Sequence, residues 1–154
     1  MIIIPLPYRI IFIVLDILLP AFGIYSNILS PSSALAMFTP FPTLPPAPET
    51  QVLLDSSAGF FAMLLTLNVA FLAYRPNDIL VWKTLQAGTL MTDVFMLLGF
   101  AKEMQATGRF NTGMWTGQDW GNVSGYAAIA AVRVAFLMEV GKGRGQRKGK
   151  GKET

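Results

Sequence analysis

The chain contains no histidine and no cysteine among its 154 residues. The absence of cysteine excludes disulfides and thiolate chemistry, and the absence of both residue types excludes zinc sites built on them. Histidine is also the commonest acid–base group near neutral pH, so any proton chemistry has to use carboxylates, tyrosine, lysine or water. We therefore expect neither a metal site nor a cofactor.

Charged residues are scarce as well, because they make up 14% of the chain while 53% of it is hydrophobic. A soluble domain of ordinary composition has about a quarter of its residues charged. Half of the twelve Lys and Arg residues lie in 142–154, so the body of the chain is nearly uncharged. This distribution predicts a membrane domain that crosses the bilayer several times.

Four segments have the roughly 20 mostly apolar residues that a spanning helix needs. The sequence therefore predicts an all-α fold, a bundle of four transmembrane helices within residues 1–141, followed by a disordered basic tail at 142–154. A cleaved signal peptide is the alternative for the first segment, but no basic residue precedes its apolar run and Asp16 interrupts it. The predicted helices are 9–29, 53–74, 79–100 and 121–140.

The connections between these helices differ in composition. The connection 30–51 contains six prolines and no Lys or Arg, which predicts extended or turn backbone without regular structure. By contrast, Arg75-Pro76-Asn77-Asp78 is typical of a tight turn, so helices two and three should be antiparallel neighbours.

The basic residues predict the orientation in the membrane, since positively charged loops remain in the cytoplasm. With both termini cytoplasmic, nine Lys and Arg residues lie on that side, and Lys102 and Arg109 lie on the other. Because the tail directly follows a predicted spanning helix, we expect it to contact anionic lipid and not nucleic acid. Trp82 is among the aromatic residues at segment ends, where an interfacial belt is expected.

Each predicted helix also carries one polar residue at a similar depth. At about 1.5 Å of rise per residue, all four lie roughly 10 Å from the cytosolic face. A closed bundle that hides a polar network would have this pattern, and polar groups at this depth are candidates for function as well as for structure. The four residues are Asp16, Asn68, Gln86 and Arg133.

Asp93 lies deeper in helix three, and the pattern places no cation close to it. Burial raises the pKa of an acid toward values that are useful for proton transfer, so Asp93 is the candidate proton donor. For Asp16 and Arg133 a structural ion pair and a functional role remain equally open, whereas interhelical hydrogen bonding is the favoured role of Asn68 and Gln86.

Several short motifs are distinctive: Pro5-Leu6-Pro7-Tyr8-Arg9, Val81-Trp82-Lys83, Thr92-Asp93, and Asp119-Trp120-Gly121-Asn122 leading to Arg133. On these motifs the chain resembles a family of small fungal four-helix membrane proteins classed as a domain of unknown function. The resemblance implies the fold, a membrane location such as the endoplasmic reticulum or another endomembrane, and an interfacial motif at Asp119, Trp120 and Asn122. It brings no established activity. Members of that family often have an acidic residue where this chain has Val69, and a histidine where it has Met96.

Two functions of different classes follow from this pattern. The favoured hypothesis is a non-catalytic membrane protein that binds lipid or another lipophilic small molecule, or assists a second copy or another membrane protein. The alternative is a membrane-embedded isomerase or cyclase that acts on an isoprenoid or polyketide intermediate, with Asp93 as the acid. Transport is a weaker third hypothesis, because the chain has no internal repeat.

Overall fold

A computed structural model of the chain describes residues 4–139, and the basic tail at 142–154 lies outside this range. All the regular structure within 4–139 is helical, in agreement with the predicted all-α class. It comprises one short 3₁₀ turn at Thr112–Met114 and five α-helices, which are α1 (Leu6–Leu29), α2 (Pro31–Phe38), α3 (Pro48–Tyr74), α4 (Ile79–Ala106) and α5 (Gly117–Leu137).

Among the described helices, α1, α3 and α4 are long and apolar enough to cross a membrane. Their outward faces carry large exposed apolar side chains, such as Leu18, Met91 and Phe95. In water such a surface is costly at about 25 cal/mol per Å² of apolar area, whereas lipid covers it without that cost. The fold is therefore compatible with insertion into a membrane.

The bundle is built from two helix pairs, because α1 packs along α3 and α4 packs along α5. Gly23 makes the first pairing close: a Cβ atom at this position would lie 2.6 Å from the ring of Phe61. Small residues permit this kind of approach between helices that share an apolar surrounding. The short α2 leans against α1.

An aromatic cluster fills one end of the bundle. Phe12, Trp82 and Phe136 are almost completely buried, and the ring of Tyr8 lies 5.3 Å from that of Phe136. The prediction of Trp82 as an interfacial residue is wrong, since its ring packs inside the cluster. Its Nε1 donates a hydrogen bond of 3.1 Å to the carbonyl of Pro76, so the tight turn supplies the acceptor that a buried indole needs.

The connection 30–51 is more ordered than the prolines predict, because α2 forms within it. Pro31 occupies the first turn of α2, where its missing N–H leaves no hydrogen bond unmade, and the remaining prolines follow the helix. Pro48 begins α3 in the same way, so this helix starts before residue 53. The prediction of a connection without regular structure is wrong for Pro31–Phe38.

The far end of α4 also extends beyond the predicted residue 100, to Ala106. It stops in a Schellman motif, in which Arg109 N–H donates to the carbonyl of Met104 and Gly108 N–H donates to that of Gln105. Gly108 has a φ of 70°, a conformation that glycine adopts without strain. The motif reverses the chain and returns Arg109 toward the last turns of α4.

Candidate functional site: two arginine clusters and a cavity

Arg133 of α5 joins three of the long helices through one buried cluster, called the Arg133 cluster below. Its Nη2 donates a hydrogen bond of 2.7 Å to Asp16 Oδ1 on α1, and its Nε donates one of 2.8 Å to Asp93 Oδ2 on α4. Its Nη1 donates to Gln86 Oε1, also on α4. The guanidinium therefore has a partner in each direction, which a buried charge requires.

The other members complete the network. Gln86 Nε2 donates a hydrogen bond of 2.6 Å to Asp16 Oδ2, so that both oxygens of this carboxylate are occupied. Asn68 of α3 donates from Nδ2 to the backbone carbonyl of Asp16 at 3.3 Å. The guanidinium carbon also lies 5.8 Å from the centre of the Phe12 ring, in the range of a cation–π contact.

The cluster thus brings together the four residues that the sequence places at one depth, and adds Asp93. The prediction that Asp93 has no cation close to it is wrong. Asp93 follows Gln86 by seven residues on α4, about 10 Å along the axis, and the long side chain of Arg133 contacts both. Two carboxylates consequently face a single guanidinium.

A second buried arginine, Arg109, organises the opposite end of the bundle. Its Nη2 donates hydrogen bonds of 2.7 and 2.6 Å to the two oxygens of Glu103, and its Nη1 donates to Asp119 Oδ2. Thr39, which follows α2, donates to Glu103 at 2.7 Å. This Arg109 cluster therefore ties the connection after α2 to the ends of α4 and α5.

Asp119 is also part of the cap that starts α5. It accepts hydrogen bonds of 2.8 Å from the N–H and from the hydroxyl of Thr116, while its own N–H donates to the Thr116 hydroxyl in a capping box. Burial raises the pKa of Asp119, but the hydrogen bonds from Arg109 and Thr116 outweigh burial and hold this pKa below its ordinary value. The hydrogen bond to Asp119 raises the pKa of Arg109.

Sequence reasoning missed Arg109 and Glu103 as members of a cluster. The available signal was an arginine in a short, glycine-containing connection, with one acid six residues before it and another ten residues after it. It also grouped Asp119, Trp120 and Asn122 as one interfacial motif, but their contacts differ. Asp119 is buried in the cluster, and Trp120 is half exposed with its ring centre 4.7 Å from that of Trp115.

Asn122 instead holds α2 in place. Its Nδ2 donates a hydrogen bond of 2.7 Å to the carbonyl of Met37, and Gln118 Nε2 donates one of 2.5 Å to the carbonyl of Ala36. Both acceptors belong to the last turn of α2, whose carbonyls have no partner within the helix. These two side chains fasten α2 across the first turns of α5.

Beneath α2 lies a cavity of about 440 Å³, the main cavity. Its volume is in the range of sites that bind small molecules. Most of its wall is apolar, with contributions from Leu19, Phe22, Met37, Phe61, Phe100 and Ile129. Phe22 and Gly125 on this wall are exposed, so the cavity opens at the surface of the bundle.

A smaller cavity of about 70 Å³ adjoins the Arg133 cluster and is lined by Asp16, Asn68, Asp93 and Arg133. Leu19, Phe61 and Tyr126 line this cavity and the main one, so the two are neighbours. Asn68 Oδ1 is buried there without a hydrogen-bond partner among the described residues. No group of three or more acidic side chains in residues 4–139 is arranged to hold a metal ion.

No curated protein and no solved structure matches the chain. A family model does match, over residues 1–143, and this range includes every helix and both arginine clusters. The chain therefore belongs to the family described as Domain of unknown function (DUF7704).

Proposed function

We propose that the chain is a four-span integral membrane protein that binds a lipophilic small molecule in the main cavity and does not transform it. The observation that carries this proposal is the main cavity itself, an apolar space of about 440 Å³ that opens at the bundle surface. A lipophile dissolved in the bilayer would reach such an opening without passing through water.

In this proposal α5 is the fourth span, beside the three apolar helices. It packs along α4, and its buried charge, Arg133, is neutralised by Asp16 and Asp93. An intramembrane arginine costs at least about 2.5 kcal/mol when it has no partner, so these contacts are what makes the span acceptable. Both ends of the chain would then face the cytosol, with the basic tail against anionic lipid.

The same proposal places the protein in the endoplasmic reticulum or another endomembrane of a fungal cell, as the resemblance to a fungal family implies. The charge distribution favours that orientation, since Arg9, Arg75 and Lys83 fall on the side of the tail. A second copy or another membrane protein is a further proposed partner, because exposed apolar faces of α3 and α4 would be available to it within the bilayer.

The test is native mass spectrometry and lipid extraction of the protein, purified gently from its own membrane. Gly125 lines the main cavity, and a Cβ atom added there would meet nothing within 4 Å, so Gly125→Leu should fill the cavity without disturbing the helix contacts. Gly88 is equally open but lies on an exposed part of α4, and Gly88→Leu is the matched control.

We expect one lipophilic species to be retained by the wild type and by Gly88→Leu, and to be lost from Gly125→Leu. Bulk phospholipid alone in all three proteins would contradict the proposal. Equal retention of the species by Gly125→Leu would show that it binds elsewhere on the molecule.

An enzyme is the second candidate, and the small cavity is the observation that favours it. Asp93 and Tyr126 both line that cavity, which adjoins the main one, so a carboxyl and a phenol lie next to the space where a lipophile would bind. Isomerisation or cyclisation by proton transfer needs such a positioned acid. The contact of Asp93 with Arg133 speaks against it, because this contact favours the charged carboxylate over the acid.

The same extraction separates the two candidates when Asp93→Asn is included. A binding protein should retain an identical molecule in the wild type and in Asp93→Asn. An enzyme should accumulate a different molecule in the variant, an isomer with the same mass that separates from the wild-type species by chromatography.

A further inference from the structure

We propose that the ligand of the main cavity is an uncharged lipophile with a single hydroxyl group, and that Asn27 binds this hydroxyl. This inference rests on the proposed function, and it adds the chemical class of the ligand and the residue that recognises its polar end. It follows from which side chains line the cavity and from which of their polar atoms are already engaged.

The charge of the wall excludes ionic ligands. None of the described residues that line the main cavity is charged. A phosphate or carboxylate bound there would lose its hydration and gain no cation, which costs several kcal/mol or more. The two buried arginines, Arg109 and Arg133, are saturated by their own carboxylates. Fatty acids and phospholipid headgroups are therefore poor ligands for this space.

Asn27 is the wall residue with an unmet hydrogen-bonding need. Its side chain is almost completely buried, and its Nδ2 has no partner among the described residues. Other polar groups of the wall are engaged: the Ser26 hydroxyl donates to the carbonyl of Gly23, and the amides of Gln118 and Asn122 donate to α2. A buried amide left without a partner costs about 1–3 kcal/mol, so a ligand that pairs with it is favoured.

A hydroxyl is the group that fits Asn27 best. The oxygen and nitrogen of an asparagine amide exchange places when the side chain turns over, so the atom that meets the ligand is either a donor or an acceptor. A hydroxyl both donates and accepts, and it satisfies either arrangement. The rest of the wall is mostly apolar, which suits a hydrocarbon body such as an isoprenoid chain.

Three probes with one carbon skeleton test this assignment: farnesol, its hydrocarbon analogue farnesene, and farnesoic acid. Binding to the purified full chain in detergent is measured by titration, at a pH well above the pKa of the acid. We expect farnesol to bind about fivefold more tightly than farnesene, the effect of one net hydrogen bond. Farnesoic acid should bind at least about tenfold more weakly than farnesol, because its charge is not compensated.

Asn27→Leu should abolish the preference for farnesol over farnesene while farnesene still binds. The matched control is Asn77→Leu, which makes the same change at an exposed turn away from the cavity and should keep the preference. The melting temperature of the empty protein shows whether Asn27→Leu folds, and it should not fall, since an unpaired buried amide is removed. Should the variant fail to fold, wild-type selectivity among the three probes still decides the ligand class.

The outcomes separate this inference from the proposed function. Saturable binding of all three probes with equal affinity, or a preference for the acid, would overturn the ligand class and leave lipophile binding in place. Loss of the preference in Tyr126→Phe, with Asn27→Leu unaffected, would overturn the role of Asn27. If none of the three probes bound, the proposed function would fail along with the inference.

Discussion

The Arg133 cluster and the Arg109 cluster each set one buried guanidinium between two carboxylates, but they differ in the chain distance that they bridge. Arg133 contacts Asp93 and Asp16, which lie 40 and 117 residues away. Arg109 contacts Glu103 and Asp119, six and ten residues away. The first cluster connects helices that are distant in sequence, whereas the second shapes one connection between consecutive helices.

This difference assigns the clusters separate roles. The Arg133 cluster lies inside the bundle, so removal of one member leaves charges that neither water nor the rest of the chain can neutralise. In the Arg109 cluster a quarter of the Glu103 side chain is exposed, so solvent replaces part of any lost contact. We therefore expect the bundle to depend on the first cluster, and the cap over the main cavity to depend on the second.

Arg133→Met should have the largest effect. The change leaves Asp16 and Asp93 buried without their cation, and we expect a loss of about 3–5 kcal/mol in the free energy of unfolding. Thermal or denaturant unfolding of the purified protein in detergent measures it. Arg75→Met, at an exposed position in the tight turn, is the control and should change the stability by less than about 0.5 kcal/mol. Equal stability of the two variants would contradict a central role for the Arg133 cluster.

Asp16→Asn should destabilise the protein more than Asp93→Asn does, by about 1–2 kcal/mol. Both oxygens of Asp16 accept hydrogen bonds, from Arg133 and Gln86, so an amide there turns a donor toward another donor. The structure gives Asp93 one such bond, from Arg133, and the carbonyl of an asparagine can replace its acceptor. The same unfolding measurement ranks the two variants. The reverse order would mean that Asp93 is the main partner of Arg133.

Loss of the Asp119 carboxylate should have the smallest effect, and that effect should depend on pH. The hydrogen bonds from Arg109 and Thr116 hold the pKa of Asp119 below its ordinary value despite burial. A carboxylate whose pKa is lower in the folded state adds stability above its unfolded pKa, and this stability is lost as the pH falls toward the folded pKa. The stability difference between wild type and Asp119→Asn should therefore narrow below about pH 4. A difference that stayed constant from neutral pH to pH 3 would contradict the assignment.

The sequence predicts some of these features because they follow from fixed helix geometry. The rise per residue is constant, so the depths of Asp16, Gln86 and Arg133 could be counted from the predicted helix ends. Rotation about each helix axis is not set by that count, and neither is the reach of a long side chain. The contact between Arg133 and Asp93 was missed for this reason, since it spans two turns of α4.

The features that the sequence did not reveal depend on backbone conformation in the connections. The Arg109 cluster requires the reversal at Gly108, and α2 requires that Pro31 begin a helix and not an extended segment. The main cavity depends on both, because α2 is fastened over it by Gln118 and Asn122. Hydrophobic patterns report which residues avoid water, but they do not report where packed helices leave a space between them.

The most direct test of lipophile binding is crosslinking with a photoactivatable farnesol analogue in the native membrane, with the labelled positions mapped by mass spectrometry. We predict saturable labelling at Phe22, Phe100 and Ile129 of the main cavity, and competition by excess farnesol. Leu18, Met91 and Phe95 on the outer face should label weakly and without competition. Uniform labelling of the outer face, with no competition at the cavity residues, would contradict lipophile binding in this cavity.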